Sequence, residues 1–190
     1  MAVLVGGVWS AHALGGPEGS RVTRGSAEIT GSGANTVIRA SDGAIIEHER
    51  FSIGRQESVQ FVQPNAQARV LNRVTGGAAS RINGALTANG IVYLVNPAGV
   101  MFGPGATVDV AGLYAAAGHI SDGDFLSHRN RFTDLSGSVV NEGSIRGRAV
   151  MLAGRQVLNS GSIEAPDGTI ALVAGDRVIL SEHGSGVAVE

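Results

Sequence analysis

Apolar residues along the chain fall in short runs separated by glycine and polar residues. The clearest runs are Ile91–Val95, Val108–Val110, Val150–Ala153, Ile170–Ala174 and Val178–Leu180. Runs of this length bounded by turn residues are typical of β-strands, whereas the spacing of about three to four residues that marks an amphipathic helix is almost absent. The pattern predicts an all-β chain built from many short strands.

One segment leaves the choice between helix and strand open. The apolar residues of Ala66–Val74 can be drawn on one helical face, and the preceding Pro64-Asn65 can start a helix. The segment is also short and rich in valine, which favours a strand equally well.

Four segments of the chain repeat one pattern, in which a glycine is followed by a short apolar stretch and then by a second apolar run. The glycines that begin these units are Gly84, Gly105, Gly143 and Gly161. The last two units agree best, since residues 141–145 (NEGSI) match residues 159–163 (NSGSI). A unit of roughly twenty residues with two or three short strands cannot enclose a core alone, but stacked copies can.

Stacking such units predicts a parallel β-helix, in which each strand lies beside the equivalent strand of the next coil. The expected vertical pairs are Ile145 over Ile163, Leu152 over Leu172, and Asn141 over Asn159. The two asparagines fall at a corner, where stacked amides can bond each other and the turn backbone. A β-sandwich is the alternative fold, because its turns recur at similar intervals, but it does not explain the similarity between units.

Composition restricts the chemistry of the chain. Its 190 residues include 29 glycines, no cysteine and 14 basic residues, all of them arginine, against 16 acidic residues. This length supports one domain, and a net charge of −2 argues against nucleic acid as a partner. Without cysteine the chain has no disulfide, no thiolate nucleophile and no thiolate metal ligand. Aromatic residues make up only 4%, so the core must consist mainly of aliphatic side chains.

The first residues have the pattern of an export signal. Met1–Trp9 is apolar, and Ala11-His12-Ala13 has the small-x-small form that a signal peptidase accepts. We therefore expect residues 1–13 to be a truncated signal peptide and residues 14–190 to form the domain, with a buried first strand as the alternative. The run is too short to span a bilayer, and no other stretch approaches the ~20 apolar residues that a membrane span needs.

A series of motifs, in order along the chain, resembles a known family. The motifs are Phe51–Gly54, Val59–Asn65, Leu71–Val74, Ser80–Gly84, Leu86–Gly90, Val92–Val100 and Phe102–Ala106. They are similar to the N-terminal two-partner-secretion (TPS) domain of filamentous-haemagglutinin-type exoproteins, and the resemblance runs from about Ser20 to about Leu180. The family's Asn-Pro-Asn-Gly-Ile/Val signature falls on Asn96–Val100, where Ala98 replaces the asparagine at the third position.

This resemblance implies a right-handed parallel β-helix with N-terminal capping strands and a loop excursion. It implies that a cognate outer-membrane β-barrel transporter recognises the domain through periplasmic domains, and that the domain nucleates β-helix folding at the cell surface. The protein would leave a Gram-negative-type bacterium through the periplasm, and would be secreted or stay on the cell surface. A ligand on host or neighbouring cells would bind a region C-terminal to this chain. Val187–Val189 is then expected to begin a further coil of an incomplete domain.

Two turn clusters are the candidates for transporter recognition. The first cluster is Asn96, Pro97, Gly99 and Val100 with Gly103, Pro104 and Gly105, and the second is Gln63, Pro64 and Asn65 with Asn72. Each cluster can equally be a set of tight corners between coils, because proline presets φ and glycine accepts strained turn positions. In both interpretations the side chain of Asn96 is expected to hold its own turn.

A group of acidic residues and histidines is the main candidate for metal or acid–base chemistry. Asp122-Gly123-Asp124 lacks the other positions of a calcium loop, and His119 and His128 lack the i, i+4 spacing of helical zinc ligands. We expect the segment Gly118–Ser138 to be a solvated excursion from the solenoid. No metal, cofactor or catalytic site is predicted here.

A second charged segment, Glu47–Arg50, is expected to be a solvated strand edge in which Arg50 pairs with a glutamate. The chain is therefore expected not to be an enzyme.

Two other functions remain open. A β-helix enzyme that degrades polysaccharides needs carboxylates clustered on one side of the coil. The carboxylates here are dispersed along the chain, at Asp109, Glu142, Glu164, Asp167 and Asp176. A surface adhesin that binds glycan would favour an exposed aromatic platform, and the chain has one tryptophan, Trp9, within the expected signal.

Overall fold

The computed structural model describes residues 16–180 and 187–189, which form a β-solenoid with one short helix. In chain order the elements are β1 (Pro17–Glu18), β2 (Arg21–Arg24), β3 (Ala27–Ser32), β4 (Asn35–Ala40), β5 (Ala44–His48), β6 (Arg50–Phe51), β7 (Ser58–Val62), β8 (Arg69–Val74), β9 (Ser80–Ile82), β10 (Ala85–Val95), β11 (Val100–Phe102), β12 (Thr107–Ala116), α1 (Asp122–Leu126), β13 (Asn130–Phe132), β14 (Ser138–Asn141), β15 (Ser144–Arg146), β16 (Ala149–Gly154), β17 (Gln156–Asn159), β18 (Ser162–Glu164), β19 (Thr169–Ala174), β20 (Val178–Leu180) and β21 (Val187–Val189). Within these ranges no helix is long and apolar enough to cross a membrane.

Most strands belong to three ladders that run along the solenoid axis, and the coils pair in parallel. Ladder 1 contains β4, β7, the first parts of β10 and β12, then β15 and β18. Ladder 2 contains β5, β8, the later parts of β10 and β12, then β16 and β19. Ladder 3 contains β9, β11, β14 and β17. The chain makes about six turns, which confirms the predicted parallel β-helix.

Inner side chains stack in columns of like residues, as the sequence repeat predicts. Ile145 lies over Ile163, and Leu152 lies over Leu172. One column of ladder 1, each member at most 1% exposed, consists of Val59, Leu86, Val108 and Ile145. Burying an aliphatic side chain of this size contributes roughly 1.5–3 kcal/mol. Because the contacts lie between coils, each coil is stabilised mainly by its neighbours.

The segment that left helix and strand open is a strand. β8 lies in ladder 2 between β5 and β10, and five of its six residues are buried. A strand is favoured over a helix here because both of its long edges can be paired within the sheet, which satisfies the backbone hydrogen bonds.

Antiparallel strands cover the N-terminal end of the solenoid. β3 forms a hairpin with β4, β2 pairs with β5, and β1 pairs with β6. These pairs end the parallel stacking at β4 and β5. They correspond to the expected capping strands.

Residues 117–137, which we call the strap, leave the solenoid after β12, return at β14 and pack on the outer face of ladder 2. The expectation of a solvated excursion is wrong for the strap's apolar side chains, because Ile120, Phe125, Phe132 and Leu135 are at most 3% exposed. These side chains form a second apolar cluster with outward-facing side chains of ladder 2, including Leu71, Tyr93 and Met151. The reason is that ladder 2 is apolar on both faces, and water must be excluded from its outer face as well.

The expectation that Val187–Val189 begins a further coil is also wrong. β21 pairs antiparallel with β20, and β20 pairs antiparallel with β13 of the strap. A further coil would instead continue the parallel ladders. β20 and β21 therefore extend the sheet of the strap.

Gly84 lies where the backbones of two coils approach closely, so its substitution tests the stacking. A Cβ at this position would collide with the backbone carbonyl oxygens of Gly54 and Glu57 in the preceding coil. Since backbone can yield only by separating the coils, we expect Gly84→Ala to lower the free energy of unfolding by about 3 kcal/mol, as measured by urea denaturation.

Gly77→Ala is the matched control, because a Cβ at Gly77 has no heavy atom within 4 Å. This variant should change the free energy of unfolding by less than about 0.5 kcal/mol. Similar losses for both variants would contradict the close approach at Gly84.

Candidate functional site

The turn Asn96–Val100 connects ladder 2 to ladder 3, and the Asn96 side chain holds it, as predicted. Asn96 Nδ2 donates to the carbonyl oxygen of Ala78 and to Ser80 Oγ, both at 3.0 Å. Asn96 Oδ1 accepts from the backbone N–H of Ala98 at 2.9 Å. One side chain therefore closes its own turn and bonds it to the preceding coil.

Little of this turn can be reached from solvent. Asn96 is 0% exposed, and of the five residues only Ala98 is exposed, while Pro97 is half-buried. Gly99 has a φ of 111°, and a Cβ there would lie 3.0 Å from the carbonyl oxygen of Ser138. Glycine is therefore required at Gly99 by both backbone conformation and space. The departure from the family signature, at Ala98, falls at the one exposed position.

The second part of the first cluster, Gly103-Pro104-Gly105, turns the corner from ladder 3 to ladder 1. The backbone N–H of Gly103 donates to the carbonyl oxygen of Ile82 at 2.8 Å, and the N–H of Ala106 donates to that of Gly103 at 2.9 Å. Gly103 is buried, whereas Pro104 and Gly105 are exposed.

The second cluster lies at the corner between ladders 1 and 2. Gln63 is 4% exposed, and its Nε2 donates to the carbonyl oxygen of Ala68 at 2.6 Å. Its backbone N–H donates to Asn89 Oδ1, and Asn89 Nδ2 donates back to the carbonyl oxygen of Gln63, both at 2.7 Å. Pro64 and Asn65 are exposed. Asn89 was missed as a partner of this cluster, although it occupies the same corner one coil later.

Asn72 belongs to a buried polar network inside ladder 2. Its Nδ2 donates to the carbonyl oxygen of Tyr93 at 3.2 Å, and its Oδ1 lies 3.0 Å from His48 Nε2. His48 Nδ1 lies 2.8 Å from Ser20 Oγ. Asn72 and His48 are both 0% exposed. The network joins the N-terminal segment to β5 and β8 through side chains and to β10 through the backbone carbonyl of Tyr93.

The expectation of a solvated strand edge at Glu47–Arg50 is therefore wrong for His48. Residues alternate along β5, and His48 shares the inward face with Ala44 and Ile46. Arg50 does pair with a glutamate, since its guanidinium lies 3.7 Å from the carboxylate of Glu18. Burial lowers the pKa of His48 from 6.5 to about 4, although the hydrogen bond with Asn72 opposes the shift.

The predicted recognition residues do not converge on one pocket. The Asn96 turn, the Gly103 turn and the Gln63 turn lie at three different corners of the coil, and Asn72 lies within a ladder. A shallow groove of about 520 Å³ does place Pro97 and Ala98 beside residues 73–77 and His119.

The acidic residues of the strap make structural ion pairs. Asp122 Oδ1 lies 2.6 Å from Arg73 Nη2, and Asp124 Oδ1 lies 3.3 Å from Arg129 Nε. Ser121 caps α1, because its Oγ accepts a hydrogen bond from the backbone N–H of Asp124 at 3.0 Å. Across the ranges that the structure describes, no group of three or more histidine and acidic side chains is arranged to hold a metal ion.

Stacked parallel coils with an antiparallel cap and a strap over one outer face define this chain as a capped β-helix domain. The crystal structure of the HMW1 secretion domain from Haemophilus influenzae superposes with a TM-score of 0.83 and 34% sequence identity, covering 87% of this chain and 46% of that one. The family model of the TPS secretion domain matches residues 13–187. The chain belongs to the TPS secretion domain family, which confirms the resemblance seen in its motifs.

Two curated relatives are each named heme/hemopexin-binding protein. One, from Haemophilus influenzae strain Rd, is 36% identical over 189 residues, covering 91% of this chain and 21% of the relative. Another, from Haemophilus influenzae, is 50% identical over 88 residues, covering 46% of this chain and 10% of the relative. The chain thus spans at most about a fifth of the length of these relatives. It is a secretion domain of a two-partner exoprotein, and this family is not an enzyme family.

The lowered pKa of buried His48 predicts that the free energy of unfolding depends on pH. Its folded pKa of about 4 lies below the ordinary 6.5, so the unfolded chain binds more protons between these values. Above pH 6.5 His48 is neutral in both states, and the free energy of unfolding is not reduced by its protonation. As the pH falls from 6.5 towards 4, the free energy of unfolding decreases by about 3 kcal/mol in total. Urea denaturation at a series of pH values measures the decrease.

The variant His48→Gln cannot titrate in this window and should lack that part of the decrease. Ser160→Ala changes an exposed residue that does not titrate and should keep the wild-type profile. Parallel pH profiles for wild type and His48→Gln would show that the burial of His48 does not govern this dependence.

Proposed function

We propose that this domain is the part of a two-partner exoprotein that a cognate outer-membrane β-barrel transporter recognises through its periplasmic domains, and that recognition precedes the stacking of the coils. The observation that carries the proposal is the burial of Asn96. Its side-chain amide is 0% exposed and is bonded to Ala78, Ser80 and Ala98.

A buried amide that already has its partners cannot bond to a second protein. In the folded coil a partner could reach only Ala98 and part of Pro97 at this turn. Before the coils stack, the amide of Asn96 is free of Ala78 and Ser80, because both belong to the preceding coil. Binding to a transporter and stacking of the coil therefore compete for the same polar groups.

The second cluster supports the same competition. Gln63 and Asn72 are buried and bonded between coils, whereas Pro64 and Asn65 stay exposed. Folding would withdraw the two buried side chains from a bound transporter. Release would thus be driven by folding itself, which gives the transfer a direction without a nucleotide.

The domain would then act as the template on which later coils fold at the cell surface. Each coil gains its apolar contacts from the coil before it, so folding can propagate along the chain from the capped end. We propose that the chain reaches the transporter through the periplasm. The expected signal at residues 1–13 lies outside the described residues and stays a prediction.

We further propose that the activities of the whole exoprotein belong to regions beyond this domain. The curated relatives, named for binding heme or hemopexin, are several times longer than the part they share with this chain. The domain itself would have a transport role and no catalytic role.

Secretion with a co-expressed cognate transporter tests the recognition. We expect Asn96→Ala and deletion of residues 63–65 each to reduce secretion at least tenfold, because the transporter loses groups that it reads in the unstacked chain. Binding of each urea-unfolded chain to the purified periplasmic part of the transporter should fall in parallel.

Two control variants separate recognition from stability. Gly84→Ala weakens stacking without changing either cluster, and its unfolded chain should bind the periplasmic domains as tightly as wild type. Ser160→Ala changes an exposed residue at a turn of a later coil, outside both clusters, and should be secreted normally. Wild-type secretion of Asn96→Ala and of the deletion, or loss of binding by Gly84→Ala to the same degree, would defeat the proposal.

A further inference from the structure

The described chain has two apolar clusters with different members, one inside the solenoid and one beneath the strap. The inner cluster contains the stacked columns of the three ladders, such as Leu86 and Val108. The outer cluster contains side chains that point away from the axis, such as Leu71 and Tyr93. No side chain belongs to both clusters, so the columns of the inner cluster contain no side chain of the strap.

Polar contacts from early coils hold the strap. Arg69 Nη1 donates to the carbonyl oxygen of Phe125 at 2.9 Å, with the guanidinium carbon 5.1 Å from the centre of that ring. Arg73 Nη2 donates to the carbonyl oxygen of Ile120 at 2.9 Å. The hydroxyl of Tyr93 donates to the side-chain oxygen of Asn130 at 2.6 Å. Arg69, Arg73 and Tyr93 all lie on β8 and β10, which precede the strap.

Contacts from the end of the domain complete the closure. Strand β13 of the strap pairs with β20, in the register Phe132 with Val178 and Asn130 with Leu180. The backbone N–H of Leu135 also donates to the carbonyl oxygen of Asp176 at 3.1 Å. Val178 is 0% exposed and belongs to the outer cluster. The closed strap therefore needs residues that follow β19, the last strand of ladder 2 in the described chain.

Closing the strap also buries the charged guanidinium of Arg69. Arg69 is 5% exposed in the closed state, and among the described residues its guanidinium makes no ion pair. A buried cation without a carboxylate is destabilising unless other groups satisfy it. Here the carbonyl oxygen and the ring of Phe125 take that role. The guanidinium of Arg69 therefore gains these contacts only when Phe125 is in place, and its Nε has no partner even then.

From these contacts we propose that the strap is a late-closing element: the coils stack first, and residues 117–137 then close over ladder 2 together with β20. The order follows from chain position, because the groups that hold the strap come from both ends of the domain. Until closure, the outer face of ladder 2, with Leu71, Tyr93 and Met151, is open to water. Closure buries this face and opposes unstacking of the coils beneath it. The proposal concerns the folding of the chain and does not depend on the transporter.

Hydrogen exchange during refolding of the full chain from urea tests the order. Pulse labelling followed by mass spectrometry should show residues 35–116 gaining protection first. Residues 117–137 and 178–180 should then gain protection together, at a rate at least fivefold slower. Simultaneous protection of all these segments, or earlier protection of the strap, would overturn the proposal.

A variant at β20 tests the same dependence in the native state. Ile179→Pro removes a backbone donor from a strand that is paired on both sides. We expect hydrogen exchange in residues 117–137 to become at least tenfold faster, with residues 85–116 unchanged. Ser160→Ala is the control and should alter neither segment.

Phe125→Ala provides a second variant in case Ile179→Pro disturbs folding. It removes the ring that packs on Arg69 and Tyr93, and it should accelerate exchange in the same strap segment. If the strap stays protected in both variants, closure does not depend on these contacts. If the coils lose protection to the same degree as the strap, the two form one folding unit. Either result would overturn the proposal.

Discussion

In-register stacking of one coil on the next is the constraint on which the rest of the structure depends. Parallel neighbours lie about 4.7–4.9 Å apart, so a buried polar group that the neighbouring coil does not satisfy is destabilising. Aliphatic side chains meet this condition by forming columns, as Leu152 and Leu172 do. Asparagine meets it by bonding along the axis, as when Asn141 Nδ2 donates to Asn159 Oδ1 at 2.8 Å.

In the proposed function, the same constraint connects the corner motifs to export. A corner residue such as Asn96 gives all of its hydrogen bonds to its own turn and to the coil beside it. The groups that make the folded coil stable are therefore the groups that an unfolded chain can offer to a transporter. On this account the family signature has two roles at different times, one in recognition and one in stacking, and folding makes the change between them irreversible.

Most of the solenoid could be predicted from the sequence because stacking leaves a repeat. Gly143-Ser-Ile and Gly161-Ser-Ile occupy equivalent corners, and the vertical pairs that follow from them are present. The burial of His48 could also have been found, since it alternates with Ala44 and Ile46. The glutamates on either side, Glu47 and Glu49, give the segment a charged pattern that hides the alternation of the strand.

The packing of the strap on ladder 2 could not be predicted, because its contacts leave no periodic pattern in the sequence. Phe125 and Phe132 stand singly in a polar segment, and the face that they cover is formed by residues from several coils. The antiparallel pairing of β21 was missed for the same reason, since its partner β20 joins a strand almost fifty residues earlier in the chain. Of the candidate recognition residues, Asn96–Gly99, Gly103–Gly105 and Gln63–Asn65 lie at turns, whereas Asn72 lies within β8. The sequence could not show that folding buries the side chains of Asn96, Gln63 and Asn72.

The most direct test of the account is to lock the turn in its stacked form. Arg81 and Met101 are neighbours in ladder 3 on the outer face, and cysteines at both positions can form a disulfide in a chain that has no other cysteine. Binding of the purified periplasmic part of the transporter is then measured for the oxidised, folded chain and for the reduced, unfolded chain. The account predicts binding of the unfolded chain and at least tenfold weaker binding of the locked one. Equal binding of both forms would contradict it.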